Sequence, residues 1–184
     1  PSDNVEVAGF LTRVRCLTEW IPQSGLPPLD EAALHAVLHE LCSRCRSFTQ
    51  LKQAPWLDHL KGRYDYPQLQ WIEKEAPEKW QVPSGSHIRL TYEEGRPPVL
   101  AVRIQEVFGM KSTPCVAGGR IRVLMHLLSP NMRPQQVTDD LESFWKNTYT
   151  TVRKELQRRY PKHSWPEDPT DATPQRRPGK KTEG

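Results

Sequence analysis

The sequence predicts an α+β fold: a helical N-terminal segment, then a small antiparallel sheet in the order strand, strand, helix, strand, strand, helix, ending in a long C-terminal amphipathic helix. Three observations predict it. Up to Ile72 the apolar residues recur at spacings of three and four, the period of a helix. From Trp80 the period falls to two, as in half-buried strands, and from Val137 to Tyr160 the helical period returns.

Taken in order, Val7, Phe10, Leu11, Val14, Leu17 and Ile21 make one helical stripe that stops before Pro22 and the breakers between Gly25 and Pro28. Asp30 is the expected N-cap of a second helix, with Leu34, Val37, Leu38 and Leu41 facing inward. Two short helices follow, Trp56 to Lys61 and Pro67 to Glu75, with Trp56, Leu57, Leu60, Leu69, Trp71 and Ile72 on their apolar faces. Their tryptophans can glue helices together or stack nucleobases, and both readings stay open here.

A short strand at Trp80 to Val82 leads through Pro83-Ser84-Gly85-Ser86 into His87 to Tyr92, where Ile88, Leu90 and Tyr92 alternate with His87, Arg89 and Thr91. The Ser-Gly-Ser turn could offer backbone N–H groups to phosphate oxygens, although no helix N-terminus follows it. Pro97-Pro98 before Val99 to Phe108, and Gly109 after it, is the Pro-first, Gly-last pattern of a helix with Leu100, Ile104, Val107 and Phe108 inward; Val99 to Val102 also reads as a buried strand. Thr113 to Ala117 and Arg120 to Leu128 around Gly118-Gly119 read as a hairpin whose second strand is central, since it is apolar on both faces.

The last helix carries Val137, Leu141, Phe144, Trp145, Tyr149, Val152, Leu156 and Tyr160 on one stripe. Thr138 is its expected N-cap, Asp139 and Asp140 and then Arg158 and Arg159 suit the two ends of its dipole, and Pro161 stops it after roughly 35 Å. Core packing against the sheet accounts for the stripe, with a ligand surface as the alternative. Pro161 to Pro169 is a proline-stiffened arm packed at Trp165, and from Thr170 onward nothing apolar follows Ala172, so disorder is expected. The organisation is therefore a helical segment over 1–78, an α+β domain over 79–169 and a disordered basic tail over 170–184.

Composition narrows the function. The 184 residues are 36% hydrophobic with 18 prolines and a formal charge of +4, and mean hydropathy is −0.72. The charge is uneven: residues 1–152 hold 17 Lys and Arg against 17 Asp and Glu, and residues 153–184 hold 9 against 5. A basic end on a neutral body suits phosphates, an acidic partner or simple solubility. Cys16, Cys42, Cys45 and Cys115 are too few and too irregular for a disulfide framework. No secretory leader and no apolar run of the ~20 residues that span a bilayer is present, so a soluble, cytoplasmic protein without a membrane partner is expected. Pro1 to Val5 show neither an initiator Met nor a capping pattern, which suggests a piece of a longer polypeptide. On the second helix His35, His39, Cys42 and Cys45 are zinc-ligand types, the first three on a common face. The competing reading is a half-exposed helix flank, because no second cysteine pair completes a zinc site.

The runs Val82 to Ser86, Pro98 to Gly109, Val116 to Arg120, Leu127 to Pro130 and Arg159 to Pro169 together resemble the C-terminal domain of the HrpB family, bacterial ATP-dependent DExH-box RNA helicases. The resemblance covers about Val82 to Pro169 and implies a parent protein with an ATP- and Mg-dependent motor. That motor's motifs are not in this chain. No Gly-x-x-x-x-Gly-Lys-Ser/Thr occurs, and Gly179-Lys180-Lys181-Thr182 only echoes its end. The resemblance therefore assigns no catalytic residue and no cofactor here, and implies that the chain alone is not an enzyme.

Three functions follow as expectations. The first is an accessory region that holds or positions RNA or DNA beside the motor. Its candidate phosphate contacts are Arg120, Arg122, Arg153, Lys154, Arg158, Arg159 and Lys162, with Trp165 as a stacking platform. The second is an interaction or structural module that packs on the helicase core or recruits a protein partner, which the neutral charge of residues 1–152 favours. The third, a hydrolase using Ser84 or Ser86 with His87 or His126, lacks any nucleophile-elbow spacing.

Overall fold

Asn4 caps the first helix, contrary to the expectation that Pro1 to Val5 carry no capping pattern: its Oδ1 accepts the backbone N–H groups of Glu6 and Val7 at 3.0 and 3.3 Å. The computed structural model describes residues 4–176. They divide into two compact units, one of residues 4–78 with 92–96 and 116–121, the other of residues 79–91, 97–115 and 122–176.

The first unit is helical. Helix α1 (Val5–Trp20) buries Val7, Phe10, Val14 and Leu17 along its predicted stripe. Helix α2 (Glu31–Arg44) is capped by Asp30, whose Oδ1 accepts Ala33 N–H at 2.8 Å. Its inward face is Ala33, Val37 and Leu41, not Leu34 and Leu38, and Leu38 is 36% exposed. The three inward residues are an unbroken i, i+4 row beginning with a small alanine, which lets the helix approach its neighbours closely. Three short helices follow: α3 (Phe48–Gln53), α4 (Trp56–Lys61) and α5 (Tyr66–Glu75), the last held by a capping box between Asp65 and Gln68. Trp56 is buried and its indole N–H donates to Leu51 O at 2.8 Å, so it joins helices. Buried Arg13 on α1 donates to Ala76 O at 2.7 Å and lies 2.7 Å from Glu73, fixing the far end of α5. The excursions at 92–96 and 116–121 bind back to this unit through Tyr92 Oη to Pro77 O and Ala117 N to Glu75 O, both 2.7 Å.

The second unit carries the sheet. Strands β1 (Lys79–Gln81), β2 (His87–Thr91), β3 (Val99–Arg103), β6 (Leu124–Leu128) and β7 (Pro134–Thr138) lie in that spatial order. Every pairing is antiparallel except β3 with β6, which is parallel over Val99↔Leu124 to Arg103↔Leu128. β4 (Cys115–Val116) and β5 (Ile121–Arg122) form a separate two-stranded piece.

Three expected elements take a different form, within a fold of the α+β class. Val99 to Phe108 is not a helix. It is β3 followed by a 3-10 turn over Ile104–Val107. Paired on both sides, β3 alternates strictly, with Leu100 and Val102 buried and Ala101 exposed. The hairpin around Gly118-Gly119 is shorter than expected because Ala117, Gly118 and Gly119 all take positive φ, and Val123 separates β5 from β6. Val137 belongs to edge strand β7, opposite His126, and is half exposed.

The last helix therefore starts at Leu141 and not at Thr138. Asp140 is its N-cap, accepting Ser143 N–H at 2.9 Å. It runs as α6 (Leu141–Ser143), a π turn over Phe144–Thr148 and α7 (Tyr149–Arg159). In the π turn Tyr149 N–H reaches back to Phe144 O, and Phe144, Trp145 and Tyr149 are all buried around Phe108. Core packing thus accounts for this stripe. The chain then doubles back, Gly109 N–H donating to Pro169 O at 2.8 Å and Gln175 N–H to Gln105 O at 2.9 Å. Residues 170–176, where disorder was the expectation, are held by such bonds, and residues 177–184 of the expected tail lie outside the described residues. Among the described residues no helix is long and apolar enough to cross a membrane.

Candidate nucleic-acid interface

The predicted phosphate contacts separate once their surroundings are known. Arg153 is used internally: its Nε donates to Trp165 O at 2.8 Å, its Nη2 lies 3.4 Å from Glu167, and its side chain is only 21% exposed. Trp165, expected as a stacking platform, is instead buried at 5% exposure, and its indole N–H donates to Tyr160 O at 3.1 Å. Together they pin the arm after α7 to the helix, and Tyr149 Oη adds a bond to Pro166 O at 3.0 Å. The arm is thus packed at Trp165, as the sequence predicts, and the stacking role expected of the same ring is not what its burial allows.

Lys154, Arg158 and Lys162 are exposed, and among the described residues none of them is in an ion pair. Lys154 and Arg158 are one helical turn apart on α7, so they sit side by side near its C-terminus. Arg159 is exposed but pairs with Glu155 at 3.2 Å, the i, i+4 contact that the sequence indicates. Arg122 on β5 is exposed in the same unit. Arg120 lies in the helical unit, where its guanidinium is 2.7 Å from the amide oxygen of Gln23.

The Ser-Gly-Ser turn does hold an anion, but the anion is the protein's own carboxylate. Ser86 Oγ donates to Glu106 Oε1 at 2.7 Å, Ser84 Oγ lies 3.2 Å from the same oxygen, and Ser84 N–H donates to Glu106 O at 3.2 Å. Among the described residues neither serine bonds to a histidine, so the hydrolase geometry is not assembled. On α2, His35, His39 and Cys42 are exposed and Cys45 half-buried; no group of three or more metal-ligand side chains gathers among the described residues.

The sequence did not single out a group at the end of β3. Arg103, Gln105, Tyr160, His163, Gln175 and Arg176 line a cavity of about 330 Å³. Gln105 Nε2 donates to His163 Nδ1 at 2.7 Å, which leaves the ring proton on Nε2. Burial, and then the Arg103 charge, hold the His163 pKa below its usual value, so the ring is neutral at pH 7. These residues are far apart in sequence, and only the membership of Arg103, Gln105, Tyr160 and His163 in the family-like runs could have flagged them.

Comparison with known proteins agrees with the sequence resemblance. Residues 37–169 match the family described as ATP-dependent helicase C-terminal. The chain is 40% identical over 169 residues to the ATP-dependent RNA helicase HrpB of Escherichia coli strain K12, covering 90% of this chain and 21% of that protein. A crystal structure of the E. coli DExH-box NTPase HrpB superposes with a TM-score of 0.88 at 39% identity, over 95% of this chain and 22% of that one. A second, of the E. coli DEAH/RHA helicase HrpB, gives 0.73 at 37%, over 88% and 21%. The chain spans about a fifth of the length of these relatives.

Proposed function

This chain belongs to the ATP-dependent helicase C-terminal family, and on that premise we propose that it is an accessory region that helps to hold or position RNA beside a helicase motor. The observation that carries the reading is the set of exposed cations Lys154 and Arg158 on α7 and Lys162 in the arm just after it, none in an ion pair among the described residues, where the basic part of the sequence begins. Exposed cations of this kind supply affinity for phosphates with little sequence preference. ATP and Mg serve the motor of the longer protein. The chain has no Gly-x-x-x-x-Gly-Lys-Ser/Thr loop to cradle a triphosphate. Filter binding of single-stranded RNA to the chain and to its Lys154→Gln, Arg158→Gln, Lys162→Gln triple variant tests the reading. A loss of tenfold or more, equal across sequences, is expected; unchanged affinity would sink it.

A second reading has its own support in the helical unit. Val7, Leu11, Leu34, Leu38 and Trp56 line an apolar groove of about 280 Å³. A groove of this kind suits packing against the helicase core, and the relatives are long enough to supply one. Leu38→Asp in the full-length protein should then lower its melting temperature, while the same change in this chain alone has little effect.

A further inference from the structure

The cavity at the end of β3 has features that the cation row on α7 does not explain. Arg103 and Arg176 face it, and no carboxylate lines it. Among the described residues neither guanidinium is in an ion pair. Arg103 is fixed by Nη1 donating to Arg176 O at 3.0 Å and by its Nε contact with Met132 Sδ at 3.2 Å. Arg176 reaches its place over Gly85, where a Cβ would come within 2.9 Å of Arg176 Nη2 and where φ is +78°. Two guanidiniums with no ion pair among the described residues, Arg103 held by its own bonds and Arg176 lying over Gly85, ask for an anion.

The remaining wall asks for more than an anion. His163 is anchored through Nδ1 to Gln105, which is 3% exposed, so its Nε2–H is a fixed donor. Gln175 Oε1 is buried without a hydrogen-bond partner, an acceptor that a ligand N–H or O–H donor would satisfy. Tyr160 and His163 present aromatic rings set edge-on to each other, 6.1 Å apart. At about 330 Å³ the space is within the range of small-molecule sites.

We propose that this cavity binds one nucleoside phosphate unit, its phosphate between Arg103 and Arg176 and its base against Tyr160, His163 and the Gln175 amide. The unit is either a free mononucleotide or one residue of single-stranded RNA. In the second case the site lies directly beyond Lys162 and deepens the RNA reading, on which that source rests.

The test follows the His163 imidazole resonances by NMR while adenosine monophosphate, adenosine, inorganic phosphate or a tetra-adenylate RNA is added to the whole chain. Saturable shifts with adenosine monophosphate, weakened at least tenfold by Arg103→Gln and by Arg176→Gln, are the expected result. Arg176 is exposed, so its variant keeps the fold. Tighter binding of the tetranucleotide would name RNA as the source; binding of the mononucleotide alone would keep the site but count against the RNA reading. Inorganic phosphate competing as well as adenosine monophosphate would reduce the cavity to an anion site and overturn the proposal. So would His163 resonances left unmoved by adenosine monophosphate and by RNA alike; if RNA still bound at α7, the RNA reading would survive that outcome.

Discussion

Ser86 Oγ donates a 2.7 Å hydrogen bond to Glu106 Oε1. It joins the turn between β1 and β2 to the 3-10 turn after β3, and Glu106 is only 7% exposed. Hydrogen bonds to a charged acceptor contribute about 1.5–3 kcal/mol each. Glu106→Leu should therefore lower the unfolding free energy by about 2 kcal/mol in a urea titration, and leave RNA affinity unchanged. Affinity falling with stability intact would mean that this carboxylate serves a ligand.

Trp165 and Arg153 should behave as structural residues. Removing a buried tryptophan costs about 3–5 kcal/mol, so Trp165→Ala should release the arm after α7 and lower the melting temperature by several degrees. Trp165→Phe should recover part of that loss, because it keeps an aromatic ring while giving up the larger indole volume and the bond to Tyr160 O. RNA affinity that followed the presence of the indole at constant stability would restore the stacking role.

Stability should also depend on pH through His163. Its folded pKa lies below the unfolded value near 6.5, from burial first and the Arg103 charge second. The unfolded chain then binds more protons in the window beneath that value. Stability must fall as pH drops below about 6.5 and stop falling below the folded pKa. The side chain is half-buried and still reached by solvent, so the effect is modest. His163→Gln should flatten this part of the profile; an unaltered slope would place its cause elsewhere.

The cysteines should label in an order set by burial. Cys16 is fully buried, and its thiol is pushed up to about 11 by burial and then by the charges of Glu19 and Glu94. Cys42 is exposed. With iodoacetamide at pH 8, mass spectrometry should find Cys42 modified within minutes and Cys16 only after denaturant is added. Modification of native Cys16 at a similar rate would mean that α1 opens readily.

These contrasts show which parts of the molecule were legible in sequence. Local signals were reliable: the periods of α1 and β2, and the Asp30 cap of α2. What failed was non-local. Leu100, Ile104, Val107 and Phe108 fit a helical stripe, and pairing on both sides, with β2 and with the distant Leu124–Leu128, selects the strand that Val99 to Val102 also allowed. The mostly polar Pro134–Thr138 hid a strand because Val137 is spaced four residues from Leu141 and extended the helical pattern backward. The interface was half readable. Positive charge marks Lys154, Arg158 and Lys162, but charge alone could not show that Arg153 is committed to Trp165 O. The cavity at Arg103 was not readable, since Gln105 and His163 meet across 58 residues of sequence.

The central claim is that phosphate contacts lie on the folded part of this chain. Fluorescence anisotropy of labelled single-stranded RNA, from low to moderate salt, tests it most directly with the intact chain and a version ending at Arg176. The account predicts that binding survives the truncation and that log Kd against log salt has a slope of about 2, close to 0.7 for each of the three contacts made by Lys154, Arg158 and Lys162. Binding that vanished with residues 177–184, or that did not respond to salt, would contradict it.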